Sequence, residues 1–210
     1  MTLTPKKILT DSQAKTSLKR YNLKLILLGD GGVGKTSLVE RFVSAKFDVD
    51  YKITIGVNVM SKIIPIGNGD VAVLAINDVA GQPRFETLRT VFYGGTQTVL
   101  AVCDLTRKQS LENLENVWIP ELLGANPPKK ELPPVKILLV GNKCDLDDLR
   151  VISPEEIGEI SARIRAKFPQ VSVLAPSLET SAKDNVGVDD AFKRLAEQYI
   201  TQLRQMYPGR

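Results

Sequence analysis

Short apolar runs alternate with amphipathic stretches along nearly the whole chain, and few architectures satisfy that alternation. Residues 23–28, 57–66, 71–76, 99–103, 135–140 and 171–175 are rich in Val, Ile and Leu. They are bounded by Gly, Asn, Asp or Pro, the pattern of strands. Helices are expected near 34–45, 83–93, 108–123, 154–167 and 187–206. In the last, Val188, Phe192, Leu195, Tyr199 and Leu203 recur at spacings of three and four and form one apolar stripe. Ser153-Pro154-Glu155-Glu156 is a helix start, with Ser as N-cap, Pro at the first helical position and acids at the positive dipole end. Strands alternating with helices predict an α/β domain around a mostly parallel sheet of six strands, flanked by about five helices. The turn Gly67-Asn68-Gly69-Asp70 is too short for a crossover, so the second and third strands should form an antiparallel hairpin within that sheet.

Composition removes several function classes. At 210 residues the chain can bury its own core without disulfides or a structural metal. No apolar run approaches the ~18 residues of a membrane-spanning helix, and residues 1–20 lack the apolar stretch of a secretory signal. Lys and Arg exceed Asp and Glu by 28 − 24 = 4, scattered along the chain, so no nucleic-acid partner is expected. Histidine is absent, which removes the commonest general base and metal ligand. Cys103 and Cys144 are the only cysteines, too few for a metal cluster, and read as reduced thiols. Residues 1–20 are expected to be a flexible extension ahead of one domain spanning 21–207. Residues 124–134, GANPPKKELPP, should form a stiff exposed loop.

Gly29-Asp30-Gly31-Gly32-Val33-Gly34-Lys35-Thr36 fits the phosphate-loop pattern GxxxxGK[ST], with an apolar strand before it and an amphipathic helix after it. Glycines let backbone N–H groups surround phosphates, and the helix N-terminus adds positive potential. Lys35 would place a full charge on the terminal phosphates. The Thr36 hydroxyl suits Mg²⁺, which prefers hard oxygen ligands. This loop indicates a nucleoside phosphate without naming its base. Asn142-Lys143-Cys144-Asp145 follows a strand at the edge where such a ligand would lie. A carboxylate at Asp145 can accept from guanine's ring N–H and exocyclic amine, neither of which adenine presents there.

With these motifs the chain resembles a Ras-superfamily small GTPase of the Rab type, from about Leu23 to the final helix. Asp78-Val79-Ala80-Gly81-Gln82 resembles the family's DxxGQ segment, Glu179-Thr180-Ser181-Ala182-Lys183 its last guanine loop, and Tyr51-Lys52-Ile53-Thr54-Ile55-Gly56 its first switch. The resemblance implies a P-loop G-domain, GTP or GDP as ligand and Mg²⁺ held by Thr36, Thr54 and, through water, Asp78. It places Phe47 against guanine, the Ala182 N–H on the guanine oxygen and Lys143 along the base, with Ser37, Tyr51, Ser181 and Lys183 also in the nucleotide site. Thr54 and the Gly81 backbone would contact the γ-phosphate. Lys35, Thr54 and Gln82 would serve catalysis, with the Gln82 amide orienting water. Gly31 would leave room for that amide and for a partner's arginine, and no segment supplies an obvious arginine in cis. The implied partners are effectors reading residues 47–58 and 79–93, an activating protein and an exchange factor, with the chain itself a monomer. A catalytically silent guanine-nucleotide scaffold is the alternative reading.

Several positions depart from the Rab pattern. Asn77 stands where Trp is usual, Val79 replaces Thr, and Pro83 replaces Glu after Gln82. Proline restricts the residue before it, so Pro83 either preorganises Gln82 or holds it off the water. Residues 205–210 contain no cysteine for prenylation, and Thr2 replaces the Gly that myristoylation requires. A cytoplasmic protein with at most weak, peripheral membrane contact is therefore expected.

Overall fold

The computed structural model describes residues 18–47, 54 and 56–208. The chain builds β1 (Arg20–Leu28), α1 (Lys35–Ser44), β2 (Val57–Pro65), β3 (Val71–Val79), α2 (Glu86–Tyr93) and β4 (Thr98–Asp104). After these come α3 (Lys108–Asn113), α4 (Ile119–Ala125), β5 (Val135–Asn142), α5 (Pro154–Lys167), β6 (Val171–Val173), β7 (Leu178–Thr180) and α6 (Val188–Met206). The sheet runs β2-β3-β1-β4-β5-β6. All pairings are parallel except β2 with β3, the hairpin expected from its four-residue turn. Asn68 (φ 69°) and Gly69 (φ 78°) supply the left-handed backbone that turn needs.

The sheet is six strands wide as expected, and it carries a seventh short strand. β6 pairs with the start of β5 and β7 with its end, so the two occupy one edge in succession. Three residues are too few for alternation to announce a strand. The helix expected over 108–123 is also divided: α3 and α4 are joined by a π-helical turn, Leu114–Trp118. That wide turn shifts the helical phase, so that Leu111, Leu114, Trp118, Ile119 and Leu122 are all buried.

Side chains of β1 point alternately into two cores. Leu23, Leu25 and Leu27 pack with α1 and α6, including Phe42 stacked on Phe192 with ring centroids 4.0 Å apart. Ile26 and Leu28 pack with α3, α4 and α5 on the other face. Burial on both faces is the rule for parallel strands and explains their near-continuous apolar runs. Ser153 forms a full capping box, taking the Glu156 N–H at 3.3 Å while Glu156 Oε2 accepts from the Ser153 N–H at 2.9 Å. At the amino edge of the parallel strands, residues 126–129 and 132–135 and Tyr199 help line a cavity of about 220 Å³. The predicted site motifs lie at the opposite, carboxyl edge.

Candidate nucleotide site

The chain leaves β1 at Leu28, turns through residues 29–34 and enters α1 at Lys35. Lys35 is 6% exposed, and its Nζ donates to the carbonyls of Gly29 (2.6 Å) and Asp30 (2.9 Å). Burial lowers its pKa to about 8, opposed by the charges of Asp78 and Asp30. An anion at the loop would raise that pKa again and favour the ammonium. Gly34 sits at φ 98°, and a Cβ there would strike the amide nitrogen of Asn142. A Cβ on Gly81 would collide with the Lys35 ammonium and the Gly29 carbonyl, so the second motif lies directly against the loop. Val33 is fully buried and Ser37 lies in the first turn of α1.

Three oxygens meet beside that loop. Thr36 Oγ1 is 2.6 Å from Thr54 Oγ1 and donates to Asp78 Oδ2 at 2.6 Å. Asp78 is fully buried, and its Oδ1 has no hydrogen-bond partner. Burial raises its pKa against the opposing effects of Thr36 and Lys35. A buried carboxylate oxygen without a partner, beside two hydroxyls, is a donor set that fits Mg²⁺. No group of three or more His, Cys, Asp or Glu suited to a metal occurs among the described residues.

The motif expected to read the base lies at the end of β5. Asn142 donates its amide to the Val33 carbonyl (2.9 Å) and accepts from Thr180 Oγ1 (3.0 Å), tying the phosphate loop to β7. Lys143, at φ 70°, places Nζ 2.7 Å from Asp104 Oδ2. Burial acts to raise the Asp104 pKa, but hydrogen bonds from Lys143 and Thr106 outweigh it and hold the carboxyl below its usual range. Asp145 accepts from Ser181 Oγ at 2.6 Å, and Lys183 Nζ lies 3.9 Å from its other oxygen. Arg41 fixes the facing loop by donating to the carbonyls of Ala182 (2.8 Å) and Lys183 (2.9 Å), and its guanidinium lies over the Phe47 ring at 5.7 Å. Tyr51 lies outside the described residues.

Gln82 stands across the phosphate loop. A Cβ built on Gly31 would lie 3.4 Å from Gln82 Cγ, ordinary contact, so the two positions face one another. Arg107 reaches the same place: its Nη2 donates to the Gly31 carbonyl at 3.0 Å and its Nε to Asp104 Oδ2 at 3.1 Å. Neither Arg41 nor Arg107 belongs to a motif. Arg107 meets Gly31 from 76 residues away in sequence and Arg41 meets Ala182 from 141 residues away, distances at which local patterns carry no signal.

A glycine loop between a strand and a helix, at the carboxyl edge of a parallel sheet, defines the P-loop class of α/β proteins. Residues 24–201 match the model of the Ras family. The Ypt/Rab-type GTPase YPT7 of Saccharomyces cerevisiae is 37% identical over 188 residues, covering 89% of this chain and 86% of that protein. The Ras-related protein Rab-8B of Homo sapiens is 36% identical over 185 residues (88% and 82%), and Rab-8A of Gallus gallus 34% over 189 (90% and 84%). The chain belongs to the Ras family, and its relatives are of the Rab type.

Proposed function

We propose that this chain is a molecular switch that binds GTP or GDP with Mg²⁺ and slowly hydrolyses GTP to GDP and phosphate. The observation that carries the reading is the meeting of Lys35, Thr36, Thr54 and Asp78 at one loop, with Asp145 and Ser181 paired where a base would lie. Residues 21–207 form the G-domain. Thr36, Thr54 and Asp78 hold the cation, which when bound neutralises charge on the β and γ phosphates. Lys35 and the loop N–H groups hold the phosphates. Asp145 accepts from the guanine N–H and amine, with Phe47, Lys143 and the Ala182 N–H completing the base site. The Gln82 amide orients the water that attacks the γ-phosphorus as the bond to GDP breaks.

Phosphoryl transfer of this kind needs positioning and charge more than covalent chemistry, so the lack of His is no obstacle. An activating protein that adds an arginine should raise the rate by about 10³–10⁵-fold. Loss of the γ-phosphate releases the contacts of Thr54 and Gly81, and effectors reading 47–58 and 79–93 sense the change. An exchange factor resets the cycle. No helix among the described residues is long and apolar enough to cross a membrane. The test is to purify the protein in Mg²⁺ buffer, denature it and identify what is released. GDP or GTP is expected; an adenine nucleotide would overturn the assignment of the base.

A further inference from the structure

Arg89 of α2 is 2% exposed, and no motif accounts for it. Its Nε and Nη2 each donate to Glu121 of α4 at 2.6 Å, a bidentate pair, and its Nη1 donates to the backbone carbonyl of Gln82 at 2.8 Å. Tyr93 Oη donates to Glu121 Oε1 at 2.6 Å, and the guanidinium carbon stands 4.7 Å from the Trp118 ring centroid. Trp118 continues the chain of contacts: its Nε1 donates to Asp30 Oδ1 at 2.8 Å, and Asn113 holds the other oxygen at 2.9 Å. A connected set of buried and half-buried groups thus runs from the phosphate loop at Asp30, through Trp118 and Arg89, to the main chain of Gln82.

Gln82 itself has little freedom. Its carbonyl accepts from Arg89 and from the Phe85 N–H at 3.1 Å. Pro83 opens the short 3₁₀ turn Pro83–Phe85 and leaves Gln82 extended, at φ −92° and ψ 141°. The carbonyl is pinned from one side and the following ring limits the backbone from the other. The side chain is left facing Gly31.

We propose that Arg89 is a positioning residue for GTP hydrolysis: held by Glu121 and Trp118, it fixes the Gln82 backbone against the phosphate loop before any activating protein binds. The proposal rests on the hydrolytic reading above and extends it to residues outside the nucleotide site. It also answers how Pro83 acts, as part of a preorganising clamp. Lysine cannot replace the arginine, because three donors in one plane are in use toward two acceptor groups.

The test measures single-turnover GTP hydrolysis and GTP and GDP affinity with the full chain in Mg²⁺, for the unaltered protein and for Arg89→Lys, Glu121→Gln, Gln82→Ala and Arg89→Lys/Gln82→Ala. Arg89→Lys and Glu121→Gln should slow hydrolysis by about 10- to 100-fold with affinity unchanged. The double variant should be no slower than Gln82→Ala alone, since Arg89 acts through Gln82. A merely structural arginine would slow the double variant by a further factor, or weaken nucleotide binding, and either result overturns the proposal. So does Arg89→Lys hydrolysing at the full rate while Gln82→Ala is impaired, which leaves the hydrolytic reading intact. If Gln82→Ala keeps the full rate, the roles of Gln82 and Arg89 fall together while hydrolysis stands; if the unaltered protein releases no phosphate, the hydrolytic reading falls as well. Should Arg89→Lys not fold, Arg89→Met/Glu121→Leu removes both charges together and is judged by the same comparisons.

Discussion

In the proposed base site Asp145 presents one oxygen to Ser181 and keeps the other within 3.9 Å of Lys183, so the carboxylate is oriented before a ligand arrives. Asp145→Asn would replace an acceptor by a donor facing the guanine N–H. Two hydrogen bonds to a charged group contribute about 1.5–3 kcal/mol each. GTP affinity measured by titration should therefore fall by about 10²–10⁴-fold, and affinity for the xanthine analogue, which bears a carbonyl in place of the amine, should rise relative to GTP. At this scale the motif residues were legible because each chemistry demands a residue type at a fixed spacing: the glycines, Lys35 and Thr36 in one loop, Asn142 and Asp145 in another. The side chains that hold those motifs in place were not. Arg41, Arg89, Glu121 and Trp118 read as ordinary helix residues, and only the packing of α1 on the 181–183 loop and of α2 on α4 brings them to the site. Asn142, expected as a nucleotide contact, bonds the Val33 carbonyl and Thr180, so its amide also joins the phosphate loop to β7.

Among the elements, α6 was the most legible, because nineteen residues give its apolar stripe many chances to repeat. β7 and the π turn at Leu114–Trp118 were invisible for opposite reasons. The strand has three residues and no period, and the turn changes the period inside a helix whose ends look regular. That change matters, since it brings Trp118 to both Asp30 and Arg89. The stack of Phe192 on Phe42 joins α6 to the helix that carries Lys35 and Thr36. Phe192→Ala should lower stability by about 3–5 kcal/mol, read from urea unfolding, because a fully buried ring leaves a cavity between two helices. An unchanged unfolding midpoint would mean that α1 and α6 are held together by other contacts.

For the whole molecule, two apolar cores clamp one sheet, and the proposed site occupies only its carboxyl edge. A rigid body with relaxing loops is the arrangement a nucleotide-dependent switch requires. Hydrogen exchange compared between the GDP form and a form bearing a non-hydrolysable GTP analogue should show amides of residues 80–93 gaining protection with the analogue. Amides in the middle of α6 should exchange alike in both forms, because they open only with the global fold. A difference spread evenly over the sheet would contradict a switch confined to loops.

The most direct test of the proposed activity is single-turnover release of phosphate from GTP with Mg²⁺, run on the unaltered protein and on Gln82→Ala. Slow release by the first, reduced by about 100-fold or more in the second with nucleotide affinity preserved, is the predicted result. Tight GTP binding with no phosphate released by either would contradict hydrolysis and leave a guanine-nucleotide-binding scaffold in its place.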